Sequence, residues 1–465
     1  MPRPLLLVHG YSDTAKGFRK WVSIFKARGY DVKTIRVSNY KSLTNELTIK
    51  DVAEGLERAL RIDAGLSVDE PFDAVVHSTG GLVIRSWLVG RPDRRRRLKN
   101  LVMLAPANFG SPMAHKGRST LGAMFKGNND FGPDFMEAGD QILSELELGS
   151  SFSWNLAHED LLGDDAYYDA SGNTPYVFVC IGNKDYGFLK RAFTEKGTDG
   201  TVRWSGCGLN CRKITVDLSR TLSGSPVTDR IVIKPWTNDD MPLLIADGLN
   251  HGTIMDDPSE QLIDMVLSAL KVDSSDAYKK WIEESKGLTA AAVSDGRMDR
   301  YQQFVVRAVD SRGDPIRDYH LEFYAGTEDN LRELEFAEDV HQFSDDHSFR
   351  CFHVNLSATE PVALDGLFVR ILASSGTAFV GYHGLGCHRV SKDSSALVFD
   401  GKWDGEIELS AVLGKPNVAA SSGKEPVSFF HEFTTTLIEI KLNRDPEPLV
   451  GANQVLTLLD AQMDD

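Results

Sequence analysis

Short apolar runs alternate with longer helical patterns across the first hundred residues, and this rhythm constrains the fold more than any other property of the chain. Leu5 to Val8, Val32 to Ile35, Phe72 to Val76 and Leu101 to Leu104 read as strands, while the stretches around Ala15 to Ala27, Leu47 to Arg61 and Leu82 to Leu88 carry helical periodicity. Strands that return through a helix run parallel, and a parallel sheet must be covered on both faces. The expectation is an α/β fold, a mostly parallel sheet with helices on either side.

Beyond Ala105 the rhythm breaks. Residues 108 to 175 are rich in Gly, Ser, Asn and Met and separate the strand at Leu101 to Leu104 from the next apolar run, Tyr176 to Ile181. The segment stands where a lid or cap insertion would stand, and equally where a static helical cover would. Lys213 to Leu218, Arg230 to Ile233 and Leu243 to Ala246 read as further strands, and the helix pattern Gln261 to Leu270 closes a first domain over residues 1–272. Residues 273–300, with a helix expected at Asp276 to Ser285, read as a helical linker. From about 301 to 465 short alternating runs, among them Phe304 to Val309, Tyr319 to Tyr324, Cys351 to Leu356, Leu367 to Ala373, Ala396 to Phe399 and Thr435 to Leu442, are divided by turn clusters. They suggest a C-terminal all-β sandwich, with Gly414 to Val427 as a long loop.

Composition narrows the function. The formal charge of -16 argues against nucleic acid as a partner and against general attraction to anionic membranes. The run Arg94 to Arg97 is a local exception, expected as a solvated helix end or connection. No stretch reaches the roughly 18 apolar residues of a membrane span, and the start at Met-Pro-Arg-Pro leads straight into Leu5 to Val8 without room for a signal peptide. The expected location is therefore the cytoplasm, or outside the cell by a signal-independent route. The 5 cysteines are scattered, and Cys207 with Cys211 lacks the neighbouring ligands of a closed zinc site.

One turn is tied to a reaction. Val76-His77-Ser78-Thr79-Gly80-Gly81 joins a strand to a helix, so the Ser78 hydroxyl is lifted off the sheet and the Thr79 N–H lies beside the helix N-terminus, where it can stabilise an oxyanion. The usual form of this elbow is G-x-S-x-G; Gly80 matches it, and Val76 replaces the first glycine. Taken alone, the hexapeptide also fits a buried strand ending in a Ser/Thr helix cap. A serine nucleophile needs a base to take its proton and an acid to orient that base, and where the serine stands on such a strand-to-helix elbow the chain order is Ser, acid, His. Two loops past strand ends offer them: Gly197-Thr198-Asp199-Gly200-Thr201-Val202 and Asp247-Gly248-Leu249-Asn250-His251-Gly252. His251 reads as the base and Asp199 as the acid, with Asp185, nearer the end of its strand, as the competing acid. The loop Val8-His9-Gly10-Tyr11-Ser12 after the first strand would supply the second oxyanion donor at Tyr11, with Gly10 allowing close approach and His9 supporting the loop.

Taken together, Leu5 to Gly10, His77 to Gly81, Ala105-Pro106-Ala107-Asn108-Phe109-Gly110-Ser111-Pro112, Asp199 to Val202 and Asn250 to Gly252 resemble the bacterial lipase and esterase branch of the α/β-hydrolases, over about residues 4 to 272. The resemblance implies a serine hydrolase acting on carboxylic esters of lipid-like acyl substrates without metal or organic cofactor. Glu145 to Phe152 resembles the lid-edge segment of lipases that act on acyl glycerides or phospholipids. Peripheral contact with a membrane or micelle would then come from the lid or the β-sandwich. A competing reading is a weakly active or inactive hydrolase fold that binds a lipid, glycan or protein through its β-sandwich, with Val76 as the weakened point of the elbow.

Overall fold

The computed structural model describes residues 3–8, 18–35, 46–118, 140–165, 167–168, 173–186, 195–219, 231–234, 241–327, 330–333, 337–358, 367–377, 379–383, 387–389, 397–399 and 430–446. The expected sites at His9, Gly10 and Tyr11, much of the lid and the loop at Gly414 to Val427 lie outside the described residues.

Strands β1 (Leu5–Val8), β2 (Val32–Ile35), β3 (Phe72–His77), β4 (Leu98–Leu104) and β5 (Tyr176–Gly182) form a parallel sheet with β8 (Leu243–Ala246), in the order β2-β1-β3-β4-β5-β8. Every residue of β1 and β3 is buried, as expected for strands covered on both faces. The order reverses beside β1: the chain goes out to β2 and comes back to β3. Loops at the carboxyl ends of β1 and β3 therefore flank a crevice at this switch point. Helices α1 (Arg19–Ala27), α2 (Ile49–Ile62) and α3 (Gly80–Gly90) cover the sheet. Thr48 starts α2 with a reciprocal capping box to Asp51. The first nine residues of α3 are buried, which leaves it no polar outer face.

The arginine run departs from expectation. It is a short connecting helix, yet Arg94 and Arg97 are buried rather than solvated. Arg94 makes a double hydrogen bond to Glu54 at 2.9 and 3.0 Å and Arg97 reaches Glu57 at 3.0 Å, both carboxylates belonging to α2. Arg95 pairs with Asp165 and lies 4.0 Å from the centre of the Tyr167 ring.

The strands β6 (Cys211–Asp217) and β7 (Ile231–Lys234), which the sequence pattern assigned to the first domain, belong instead to the second lobe. There, β9 (Tyr301–Asp310), β10 (Asp318–Thr327), β11 (Asn330–Glu333), β12 (Ala337–Gln342), β13 (Phe349–Asn355), β14 (Leu367–Ser374), β15 (Val380–His383), β16 (Cys387–Arg389), β17 (Leu397–Phe399) and β18 (Thr435–Pro446) follow. One sheet runs β12-β13-β9-β18-β6-β7 and the other β11-β10-β14-β17-β16. Ile214, Val216, Phe304, Val306, Ile438 and Ile440 of the first meet Tyr319, Leu321, Ile371 and Ala373 of the second in one apolar layer. This is a sandwich with a mixed sheet, because β18 runs parallel to both β9 and β6.

The connection between the lobes is a helix, Ser275–Ser294, longer than the pattern suggested. It packs along the edge strand β8, where Thr289 Oγ1 accepts from Ile245 N–H and donates to Leu243 O. This covers a sheet edge that would otherwise be exposed. Among the described residues, no helix is long and apolar enough to cross a membrane.

Candidate active site

Ser78 follows β3 with φ 55°, in the left-handed region that costs a side-chain-bearing residue about 1–2 kcal/mol. Neighbouring strand ends hold it there: Ser78 N–H donates to Leu104 O at 3.1 Å, and Ser78 O accepts from Gly81 N–H at 3.0 Å and Ala107 N–H at 3.3 Å. Ala105, at the end of β4, is also left-handed, with φ 45°. Gly81 has a steric role, since a Cβ there would stand 2.6 Å from Pro106 Cβ. Val76 fits for a plain reason. It is ordinary strand, fully buried, in register with Val8 of β1 and Met103 of β4. The strain falls on Ser78 two residues later, so the valine packs where a glycine is usual.

The structure brings three of the expected residues together. His251 Nε2 lies 3.1 Å from Ser78 Oγ, and His251 Nδ1 lies 2.8 Å from Asp199 Oδ2. All three side chains are buried. The other carboxylate oxygen of Asp199 accepts from the N–H groups of Thr201 at 3.0 Å and Val202 at 2.8 Å. A carboxylate in that position accepts only, so Nδ1 of His251 carries the proton and Nε2 presents its lone pair to the serine hydroxyl. The main chain repeats the link: His251 N–H donates to Asp199 O at 3.0 Å.

Asp185, the competing acid, is half-buried on the loop after β5, while the two ring nitrogens of His251 engage Asp199 and Ser78. Asp247 is engaged by Asn183 and Arg297. Thr79 and Gly80 are buried where α3 begins.

Sequence reasoning placed His77 beside Ser78 and gave it no role. Its Nε2 donates to the carbonyl of His251 at 3.1 Å and its ring lies 4.7 Å from the His251 ring, so it steadies the loop that carries the imidazole. The available signal was a polar residue ending the buried strand β3, next to the serine.

The loop that carries Asp199 is held from both lobes. Gly197 (φ +70°) leaves room for the Tyr301 and His353 rings, since a Cβ would come within 2.7 Å of the histidine. Arg203, fully buried, bonds Glu195 at 2.9 Å and Asp339 of β12 at 2.5 Å. Ser111 Oγ donates to Thr201 O at 2.6 Å, joining this loop to the segment after β4. Glu147, in the segment that resembles a lid edge, is buried against the sandwich. Desolvation would raise its pKa, but hydrogen bonds from His341 and Ser344 prevail and hold it at about 2. Burial also pushes up the thiol of Cys351, to about 12, and those of Cys180, Cys207 and Cys211, so none is a ready nucleophile.

No protein-family model matches the sequence, and no curated protein sequence does. Solved structures do match. Phospholipase PlaB from Legionella pneumophila superposes with a TM-score of 0.74 at 22% identity, covering 99% of this chain and 98% of that one. Its complex with thio-NAD superposes at 0.70 with 23% identity, over 95% of this chain and 94% of that one. The likeness spans both lobes and establishes the architecture: an α/β-hydrolase fold joined to a β-sandwich.

Proposed function

We propose that the chain is a serine hydrolase that cleaves carboxylic ester bonds of lipid-like acyl substrates, phospholipids foremost. The observation that carries this reading is the continuous chain from Asp199 through His251 to a left-handed Ser78, with links of 2.8 and 3.1 Å. Similarity over nearly the full length to a structure named as a phospholipase supports the lipid substrate class.

In this mechanism Ser78 Oγ attacks the ester carbonyl carbon while its proton passes to His251 Nε2. Charge gathers on the former carbonyl oxygen, received by the N–H of Thr79 at the start of α3 and, in our reading, by that of Tyr11. Asp199 holds the ring and stabilises its imidazolium form. The tetrahedral adduct collapses, the bond to the alcohol oxygen breaks, and His251 returns the proton to that leaving group. Water then attacks the acyl-serine, giving its proton to His251, and the carboxylic acid leaves as Ser78 is re-protonated.

The test combines a fluorophosphonate label, located by peptide mass spectrometry, with turnover of diacyl phospholipids, triglycerides and short-chain esters by wild type and Ser78→Ala. The label should sit on Ser78, and Ser78→Ala should lose on the order of 10⁴-fold or more in kcat. Equal turnover by both proteins, or label elsewhere, overturns the assignment. Lipid binding without labelling or turnover is the outcome expected of a binding module. The order of rates across the panel separates phospholipase from lipase and plain esterase.

A further inference from the structure

A second group of chemically active side chains gathers where the lobes meet. His115 comes from the helix Pro112–Arg118, Glu147 follows the helix Asp140–Leu146, and His341 belongs to β12 of the sandwich. His341 Nε2 is 2.8 Å from Glu147 Oε1, His115 Nδ1 is 3.5 Å from the same oxygen, and the two rings meet edge to face at 4.9 Å. One ligand atom from each lies within 4.8 Å of the others. Two ligands on one tetrahedral zinc, each about 2.0–2.2 Å from the ion, stand roughly 3.3 Å apart. The observed 2.8 and 3.5 Å bracket that spacing.

The hydrogen-bond inventory points the same way. Glu147 Oε1 already accepts from Ser344 N–H at 2.9 Å and Ser344 Oγ at 2.6 Å. His341 Nε2 then adds a third donor to that oxygen, which has two lone pairs, while His115 Nδ1 lies 3.2 Å from Ser344 Oγ. The crowding is relieved if the two imidazoles present lone pairs to a shared cation rather than protons to Glu147 and Ser344. Two imidazoles and one carboxylate make a borderline donor set, suited to Zn²⁺ and its transition-metal neighbours, whereas Ca²⁺ and Mg²⁺ favour oxygen alone.

We infer that His115, Glu147 and His341 bind a single Zn²⁺-like ion that clamps the helix Pro112–Arg118 and the Glu147 turn to the sandwich. His115 is 50% exposed, which gives the ion a path from solvent. Ser111, four residues before His115, donates to the acid loop at Thr201 O, so the clamp braces one wall of the candidate active site. The three ligands are far apart in sequence, and no motif spacing announces them.

Full-length protein purified without a polyhistidine tag and stripped with a chelator is titrated with Zn²⁺ by calorimetry, and with Co²⁺ by visible absorption. One ion per chain is expected, with a rise in melting temperature and a Co²⁺ spectrum of low coordination number. His115→Ala changes a half-exposed side chain and should fold, yet bind at least roughly tenfold more weakly, and His341→Ala should do the same. Ser78→Ala should bind as wild type does. No stoichiometric binding by wild type, or unchanged binding in folded His115→Ala, overturns the proposal.

Discussion

Arg85 and Asp160 form a buried ion pair whose energetics can be dissected by a double-mutant cycle. Both side chains are fully buried; Arg85 Nε and Nη2 bond the two oxygens of Asp160 at 2.7 and 2.9 Å, and Nη1 bonds Asn108 O at 2.8 Å. Tyr168 OH adds a bond to Asp160 at 2.7 Å. Burial disfavours the guanidinium charge, but Asp160 outweighs it and keeps Arg85 protonated. Removing either partner strands a charge out of water, so Arg85→Met and Asp160→Leu should each cost about 3–5 kcal/mol. In the double variant no charge is stranded. What remains is the lost bond to Asn108 O and an unpartnered Tyr168 hydroxyl, about 1–3 kcal/mol each, which Tyr168→Phe reduces further. Guanidinium unfolding followed by tryptophan fluorescence should place the double variant several kcal/mol above the sum of the singles. Additivity within about 0.5 kcal/mol would refute this account of the pair. The segment held through Asn108 also carries Ala107, which bonds Ser78 O, so ester turnover should fall in the Arg85→Met single variant.

Two further outcomes follow from the core and the interface. Val76→Gly removes a buried side chain and adds strand entropy, so it should cost about 2–4 kcal/mol in the same unfolding assay while Ser78 still takes the fluorophosphonate label; unchanged stability would contradict the packing described for Val76. Burial, reinforced by Arg203, holds the pKa of His353 well below its ordinary 6.5, so the folded chain keeps it neutral while the unfolded chain protonates it below that pH. Stability due to this group is present above 6.5 and is lost as pH falls toward the depressed value, at up to about 1.4 kcal/mol per pH unit. His353→Gln should flatten the stability profile by that slope between about pH 6.5 and 5.5, and an unaltered profile would rule out the neutral, buried ring.

What the sequence disclosed was local in origin. The first parallel strands are apolar runs whose burial needs no knowledge of partners, and Ser78 sits in a turn defined by its immediate neighbours. Asp199 and His251 stood in loops whose order along the chain was itself a constraint. The misassigned features depend on distant partners. The alternation in Lys213 to Leu218 marks a strand without saying which sheet receives it, and its neighbour β18 is more than two hundred residues away. Arg94 and Arg97 read as solvated because nothing local reveals that Glu54 and Glu57 face them from α2. The role of His77 was hidden for the same reason, since its acceptor is a carbonyl at the far end of the hydrolase lobe.

The placement of β6 and β7 bears on how such a protein can be inherited and dissected. Between the loops that carry Asp199 and His251 the chain leaves the first lobe, contributes two strands to the sandwich and returns. The lobes are therefore interleaved, and a gene fragment ending near residue 300 would encode β6 without β9 or β18, the strands its sheet is built around. Recombination that exchanges catalytic heads as beads on a string would break this sheet. Surviving variants of such a chain must pass both lobes on as one hereditary unit.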